Sequence, residues 1–508
     1  MKYPIGIQTF SAIIEEGYVY VDKTKGILRL LEGKVFFLSR PRRFGKSLLL
    51  STLASIFEGR KDLFKGLYIE DKIEWKKHPV IHISLNSISN KDADLRAALG
   101  DAINANARKY DITIEGRTLG SRFFELMEKL SEQEKVVLLI DEYDKPLISF
   151  INDPETMSKN RGILKEFYGV IKDADRYLKF VFITGVSRFS KVSIFSDLNN
   201  LSDISMNKDF CDICGYTEID IHHYFTPRIA EIAKHKGIST EVLFEKVKQR
   251  YNGYNFYGSE KMYNPWSVLN FLYTEELDNY WFETGTPTFL TQLVRHLEIS
   301  PEGAIVDKSE LGKLSFDSDS LNVLLYQTGY LTIDEEIDTG LFRLKHPNEE
   351  VSESFTRFLL AEYAHSTTGV VRYLAMNVRD ALKSKDREKL KSALNPIFAK
   401  IPYQIFQSNA EAYYHSVLHL VFMMLNYNTE SEISTNKGRI DTVLLQENEV
   451  WIFEFKLNQS AQAAYDQIIE KAYAQKYQNS GKTIYAVGVN FDSEKKQIDE
   501  VSIQQIQR

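Results

Sequence analysis

Four short apolar runs dominate the first two hundred residues: Val35–Leu38, Val80–Ile83, Val136–Ile140 and Phe180–Thr184. Each is of strand length and apolar on both faces, so none suits a sheet with one solvated side. Helical patterns such as Ser47–Phe57 and Arg122–Leu130 lie between them. Strands alternating with helices require βαβ units and a parallel sheet covered on both faces. A chain of 508 residues is too long for one such core, so two or three domains are expected.

Beyond the fourth run the rhythm changes. Residues 216–298 are mainly helical, with apolar residues three and four apart in Glu218–Lys236 and Thr240–Arg250. Asn264-Pro265 starts a further helix. Leu321–Thr328 reads as a short helix, followed by strands at Tyr330–Asp334 and Leu341–Lys345. Residues 351–400 are helical and charged. The last hundred residues predict a helix over Asn409–Tyr427, then strands Arg439–Leu445 and Val450–Phe455. A helix Ala461–Gln478 and a strand Thr483–Asn490 close the chain. The expected division is an α/β core over 1–215, a helical lid over 216–300, a helical, winged-helix-like connector over 301–400 and a second α/β domain over 401–508.

Composition narrows the function classes. The net charge of −7 argues against a protein coated in nucleic acid, although Arg40-Pro-Arg-Arg43 through Lys46 forms a local basic patch. No apolar run approaches the ~20 residues needed to span a bilayer, and no signal peptide opens the chain. A membrane role is therefore not expected. Cys211 and Cys214 are the two cysteines, which excludes a disulfide framework and suits a reducing, cytoplasmic setting. Their C-x-x-C spacing, with His222 and His223 downstream, leaves zinc as a minor reading beside a chance pair in a connector.

After the first run comes Ser39-Arg-Pro-Arg-Arg-Phe-Gly-Lys46-Ser47, then an apolar helix. Backbone N–H groups at a helix N-terminus wrap phosphate oxygens and meet them with partial positive charge. Arg43, Phe44 and Gly45 would line such a loop, Lys46 would reach the β- and γ-phosphates, and the Ser47 hydroxyl would bind Mg2+. Arg40 stands where the common form of this loop has its first glycine, a departure that could alter the loop's shape. An ordinary solvated basic turn is the alternative.

The other half of a nucleoside triphosphate site is an acid ending a second buried strand. Val136–Ile140 runs into Asp141-Glu142-Tyr143-Asp144. Asp141 would hold Mg2+ and Glu142 would orient or deprotonate the attacking water. Thr184, at the end of the fourth run, could sense the γ-phosphate. Arg188 could reach it in cis or from a neighbouring subunit of a homo-oligomer. Structural roles stay open for both.

These pieces together resemble the AAA-ATPase-like proteins that carry a PD-(D/E)XK nuclease domain at the C-terminus. The resemblance rests on Ile5–Phe10, Tyr20–Thr24, Arg40–Ser47, Leu139–Pro146, Thr184–Phe189, Tyr251–Phe256 and Tyr263–Ser267, and it covers most of the chain. It implies a P-loop NTPase parallel sheet with a helical lid and a small helix-plus-hairpin module, followed by a restriction-endonuclease-like α/β domain.

The C-terminal region carries its own chemistry. Asp441 opens one apolar strand, and Glu454-Phe-Lys456 ends the next. The strand period of two puts Glu454 and Lys456 on one face. Two carboxylates on adjacent strands suit a hard Mg2+ ion, and Lys456 could orient water or stabilise a pentavalent phosphate. Surface ion pairs are the alternative. The Asp…Glu-x-Lys pattern resembles the PD-(D/E)XK core, with Ile440 where that core usually has proline. The resemblance adds Glu411 as a further acidic metal-site residue and makes Gln467 and Tyr473 nucleic-acid-positioning residues.

The expected function is ATP binding, with hydrolysis, coupled to Mg2+-dependent cleavage of nucleic acid, DNA foremost. The alternative is a nucleotide-dependent switch whose nuclease fold is a catalytically inactive binding module.

Overall fold

The computed structural model describes residues 1–86, 94–151, 153–188, 194–195, 198, 200–258, 260–283, 303–312, 321–363, 367–398, 417–418, 420–425, 428–435, 438–495 and 497–506. The chain splits into two compact units, one built from Met1–Phe289 and Pro301–Val351, the other chiefly from Ser352–Arg508.

The first unit is organised by a five-stranded sheet: β1 (Val35–Ser39), β2 (Val80–Ser84), β3 (Val136–Asp141), β4 (Leu178–Gly185) and β5 (Ser202–Asp203). Its order is β2-β3-β4-β1-β5, and every pairing is parallel. All residues of β1 and β3 are buried, as their unbroken apolar runs require. β5 is only two residues long and has no apolar run to betray it. Helices Lys46–Phe57, Leu95–Lys109, Leu119–Leu130 and Pro154–Asp173 accompany the sheet. The strand order matters for the site. β4 lies between β1 and β3, pairing Leu38 with Thr184 on one side and Ile140 with Ile183 on the other.

The helical region is built from Glu218–Lys236, Thr240–Tyr251 and Pro265–Thr274. Thr217 and Asp220 form a capping box at the first helix, Ser239 caps the second and Asn264 the third. Ile221, Phe225, Ile229, Leu243, Val247 and Phe271 pack into a shared core. The Asp22-Lys23-Thr24 motif ties the N-terminal segment to these helices. Lys23 pairs with Asp220 at 2.5 Å, and the Asp22 N–H donates to Tyr224 Oη at 3.1 Å. The predicted helix-plus-hairpin has a third strand. β6 (Ile305–Asp307), β7 (Thr332–Asp338) and β8 (Leu341–Lys345) form an antiparallel sheet in the order β6-β8-β7.

The second unit holds a mixed sheet of β9 (Asn428–Thr435), β10 (Gly438–Leu445), β11 (Glu449–Leu457), β12 (Thr483–Asp492) and β13 (Gln497–Ile506), in the order β13-β12-β11-β10-β9. The three central strands are those expected from the sequence, and both edge strands are additional. β9 reads Asn-Thr-Glu-Ser-Glu-Ile-Ser-Thr, and β13 is half-exposed and pairs across an irregularity at Asn490/Phe491, so neither shows a clean apolar period. The predicted helix Ala461–Gln478 stops at Glu470. Ala472 adopts φ 52°, and a 3-10 segment Tyr473–Ser480 follows. The chain is helical at 417–418 and 420–424, within the predicted Asn409–Tyr427 helix. Glu411 lies outside the described residues. Among the described residues no helix is long and apolar enough to cross a membrane.

Candidate functional site

The loop after β1 is held open by backbone geometry and anchored by side chains pointing away from it. Gly45 caps the helix Lys46–Phe57 with φ 89°, a left-handed conformation that glycine adopts without strain. Nothing lies within 4 Å of where its Cβ would be, so the space over the loop is clear. Lys46 is 6% exposed, and its Nζ donates to the carbonyls of Arg40 and Pro41, both at 2.9 Å, bridging the loop. Burial pushes its ammonium pKa down, opposed by Asp141, Glu142 and Asp144.

Arg40 does not face the phosphate space. Its guanidinium donates to the carbonyls of Ser39, Ser205 and Phe210 at 2.8–3.0 Å and stacks 4.1 Å over the Phe256 ring. The residue that replaces the usual glycine is thus a buried strut. Phe44 is also an anchor, its ring edge-on to Tyr254 and Phe256, so its contribution to a phosphate is its backbone. These contacts account for the Tyr251–Phe256 motif, which packs onto the loop.

The strand order brings Ser47, Asp141 and Thr184 together. Ser47 Oγ donates to Asp141 Oδ2 at 2.5 Å, and Thr184 Oγ1 donates to Asp141 Oδ1 at 2.6 Å. The set is all oxygen, as Mg2+ requires, and sits beside the open loop, so the residues fit that ion. Glu142 is half-buried, with φ 52°, and burial raises its carboxyl pKa while Lys46 opposes. Behind it, buried Asp144 accepts from the N–H groups of Val186 and Ser187 and from Ser187 Oγ, tying β3 to the end of β4. That approach requires Gly185, whose added Cβ would lie 2.5 Å from the Tyr143 ring and 2.7 Å from Asp144 Oδ1.

A cleft of about 290 Å³ opens here, lined by Arg42, Arg43, Gly45, Lys46 and Ser47 from the loop and helix start and by Glu142 and Lys145 from the segment after β3. Its other wall includes Ile7, Tyr216, Pro265, Trp266 and Leu269. Arg43 stacks 4.2 Å over Trp266. A phosphate-sized basic floor beside an apolar, aromatic wall suits a nucleotide. Arg42, Lys145, Tyr216 and Trp266 join the site only through the fold. Arg42, Lys145 and Trp266 lie inside motifs that carry the resemblance, and Tyr216 carries no signal of its own. Arg188 is placed elsewhere: its guanidinium pairs with Asp203 at 2.6 Å, it lines a separate small cavity with Arg40, and its N–H donates to Gln327.

The second site lies on β10 and β11. Thr442 pairs with Phe453 in antiparallel register, which continued one step sets Asp441 opposite Glu454. Asp441 Oδ2 accepts from the Phe455 N–H at 2.9 Å. Glu454 is 2% exposed, and its Oε1 accepts from Lys456 Nζ at 3.1 Å and from Gln467 Nε2. Gln467 also reaches Tyr473 Oη at 3.4 Å. Tyr473 has its pKa raised, by burial first, with Glu454 and Asp441 adding and Lys456 opposing. Five of the six residues singled out for this site therefore share one neighbourhood, and two facing carboxylates supply the hard donors a divalent cation needs.

The zinc reading finds no support: Cys211 and Cys214 are buried free thiols, and His222 sits beside Glu218 on its own helix. Among the described residues no three His, Cys, Asp or Glu side chains form a metal-binding group.

An ATP-type loop facing an acid-tipped strand across an intervening strand, followed by a sheet bearing Asp…Glu-x-Lys, defines a P-loop ATPase fold joined to a nuclease-type fold. Comparison with known families agrees. Residues 4–195 match the family described as predicted AAA-ATPase, and residues 409–501 match the PD-(D/E)XK nuclease superfamily. The chain is 38% identical over 520 residues, covering 98% of both, to an Azotobacter chroococcum mcd 1 protein described as "Uncharacterized protein in vnfD 5'region". It belongs to the AAA-ATPase-like proteins with a C-terminal PD-(D/E)XK nuclease superfamily domain.

Proposed function

We propose that this protein binds and hydrolyses ATP with Mg2+ at the first site, and that its C-terminal domain hydrolyses phosphodiester bonds in nucleic acid, DNA foremost, with a divalent metal. The observation that carries the first half is the Ser47–Asp141–Thr184 cluster at the mouth of the loop. Mg2+ held there would neutralise phosphate charge. The loop N–H groups and Lys46 bind the phosphates. Glu142, its proton affinity raised by burial, accepts the proton of the water that attacks the γ-phosphorus as the bond to the β–γ bridging oxygen breaks.

In the C-terminal domain Asp441 and Glu454 would hold the metal, whose chemistry is to polarise the phosphate and acidify water. Lys456 orients that water and offsets charge on the phosphate, while Gln467 and Tyr473 position the strand. A reducing, cytoplasmic setting belongs to the same reading and rests on the two free buried thiols.

One observation favours a second reading. Glu454 Oε1 is held by both Lys456 and Gln467, so a cation bound through that oxygen must compete with them, as in a nuclease fold retained only for binding. A nuclease assay decides. Single-stranded DNA, duplex DNA and RNA are incubated with Mg2+ or Mn2+, with and without ATP. Cleavage that disappears in Asp441→Ala supports the nuclease, and intact substrates throughout reject it. Stabilisation by ATP with Mg2+, lost in Lys46→Ala, supports the nucleotide site.

A further inference from the structure

The basic side chains around the first site are mostly committed. Lys46 bridges the carbonyls of its own loop, Arg43 covers Trp266, Arg40 is bonded into the core, and Arg188 pairs with Asp203. Arg42 and Lys145 differ. Both are half-buried, both line the cleft with Gly45, Lys46, Ser47 and Glu142, and neither makes an ion pair with a carboxylate among the described residues. Their two positive charges share one cleft. The Lys145 ammonium pKa is pushed down first by burial and then by Arg42, with Glu142 and Asp144 opposing. Two like charges kept together in a partly desolvated cleft raise the energy of the empty site, and an anion placed between them removes that cost.

The backbone at both residues is anchored by hydrogen bonds. Asp144, next to Lys145, is bonded to Val186 and Ser187, and Pro146 follows as a buried residue of a short helical turn. The Arg42 carbonyl accepts from Trp281 Nε1 at 3.1 Å. Lys145 stands three residues beyond Glu142, and Arg42 stands in the loop after β1. The pair thus lines the same cleft as the phosphate loop and Glu142.

We propose that Arg42 and Lys145 form, within a single chain, the site for the terminal phosphate of a nucleoside triphosphate. The assignment rests on the ATP reading above and goes beyond it: these two residues distinguish triphosphate from diphosphate. No arginine from a neighbouring subunit is then needed to meet the γ-phosphate.

The test is competition binding of ATP and ADP, each with Mg2+, to the full chain. The wild type prefers ATP. Lys145→Met and Arg42→Met each lose about tenfold or more in ATP affinity, with ADP affinity unchanged. Lys145→Arg keeps the wild-type preference, which separates a charge contact from a packing role. Equal loss of ATP and ADP binding in Lys145→Met, or no loss of either, overturns the assignment. A wild-type chain that binds neither nucleotide rejects the underlying ATP reading as well. ATP turnover per chain should be independent of protein concentration, and a rate that rises with concentration overturns the single-chain arrangement.

Discussion

Ser47 Oγ donates to Asp141 Oδ2 at 2.5 Å, joining two residues 94 positions apart. The contact exists because β4 spaces β1 and β3 so that the helix start and the acid-tipped strand face one another. Asp141→Asn preserves the size of the side chain and removes its charge. It should abolish the difference in thermal stabilisation between ATP with Mg2+ and ATP with a chelator, while the unliganded protein melts within a few degrees of wild type.

Arg40→Gly would restore the common glycine of such loops, yet it should weaken the protein. Three carbonyls lose their donor and Phe256 loses its stacked cation. Urea unfolding should report a loss of about 2–4 kcal/mol. Unchanged stability would show that the buried strut is dispensable.

Gly185→Ala places a methyl group 2.5 Å from the Tyr143 ring and 2.7 Å from Asp144 Oδ1. The end of β3 must shift, which should cost about 1–3 kcal/mol of stability and weaken ATP binding in calorimetry, because Asp141 and Glu142 move with it.

Glu350 is fully buried, accepting from Ser267 Oγ and the Trp281 N–H at 2.7 Å, with Arg250, Tyr251, Tyr254 and Tyr280 the titratable groups around it. Burial raises its pKa from 4.5 to about 7, against the opposing hydrogen bonds and Arg250. The folded state therefore holds this proton more tightly than the unfolded chain. Its contribution to stability is greatest below pH 4.5, falls as pH rises toward 7, and is constant above. Glu350→Gln keeps an amide in place of the protonated acid. Its melting temperature should gain on wild type between pH 5 and pH 8, by an amount on the order of a few kcal/mol in unfolding free energy. Parallel pH profiles would contradict this.

In the C-terminal domain, Lys456→Met should lower metal-dependent DNA cleavage at least about a hundredfold while the far-ultraviolet spectrum is kept, since the Lys456–Glu454 contact lies at a site edge and not in the apolar core. Retained cleavage would place the chemistry elsewhere.

Much of this was legible in the linear chain. Runs apolar on both faces marked β1, β3 and β4, because central parallel strands meet helices on both sides, whereas β2, at the sheet edge, exposes His82 and Ser84 and was marked only by its short apolar run. The alternation in Glu454-Phe-Lys456 put acid and lysine on one face, where the structure holds them 3.1 Å apart. Edge strands left less trace: β9 is mostly polar and β13 half-solvated, so burial wrote no regular pattern into either.

Hydrophobic period and local motif chemistry therefore determined which segments are strands and helices, where a phosphate loop stands and which carboxylates end which strands. Tertiary structure alone decided the partners. It turned Arg40 into the core, gave Arg188 to Asp203, brought Thr184 onto Asp141, and left Arg42 and Lys145 facing one cleft. The reason is physical: a sequence period records burial along one element, whereas a side chain's partner depends on strand order and on which elements pack across it.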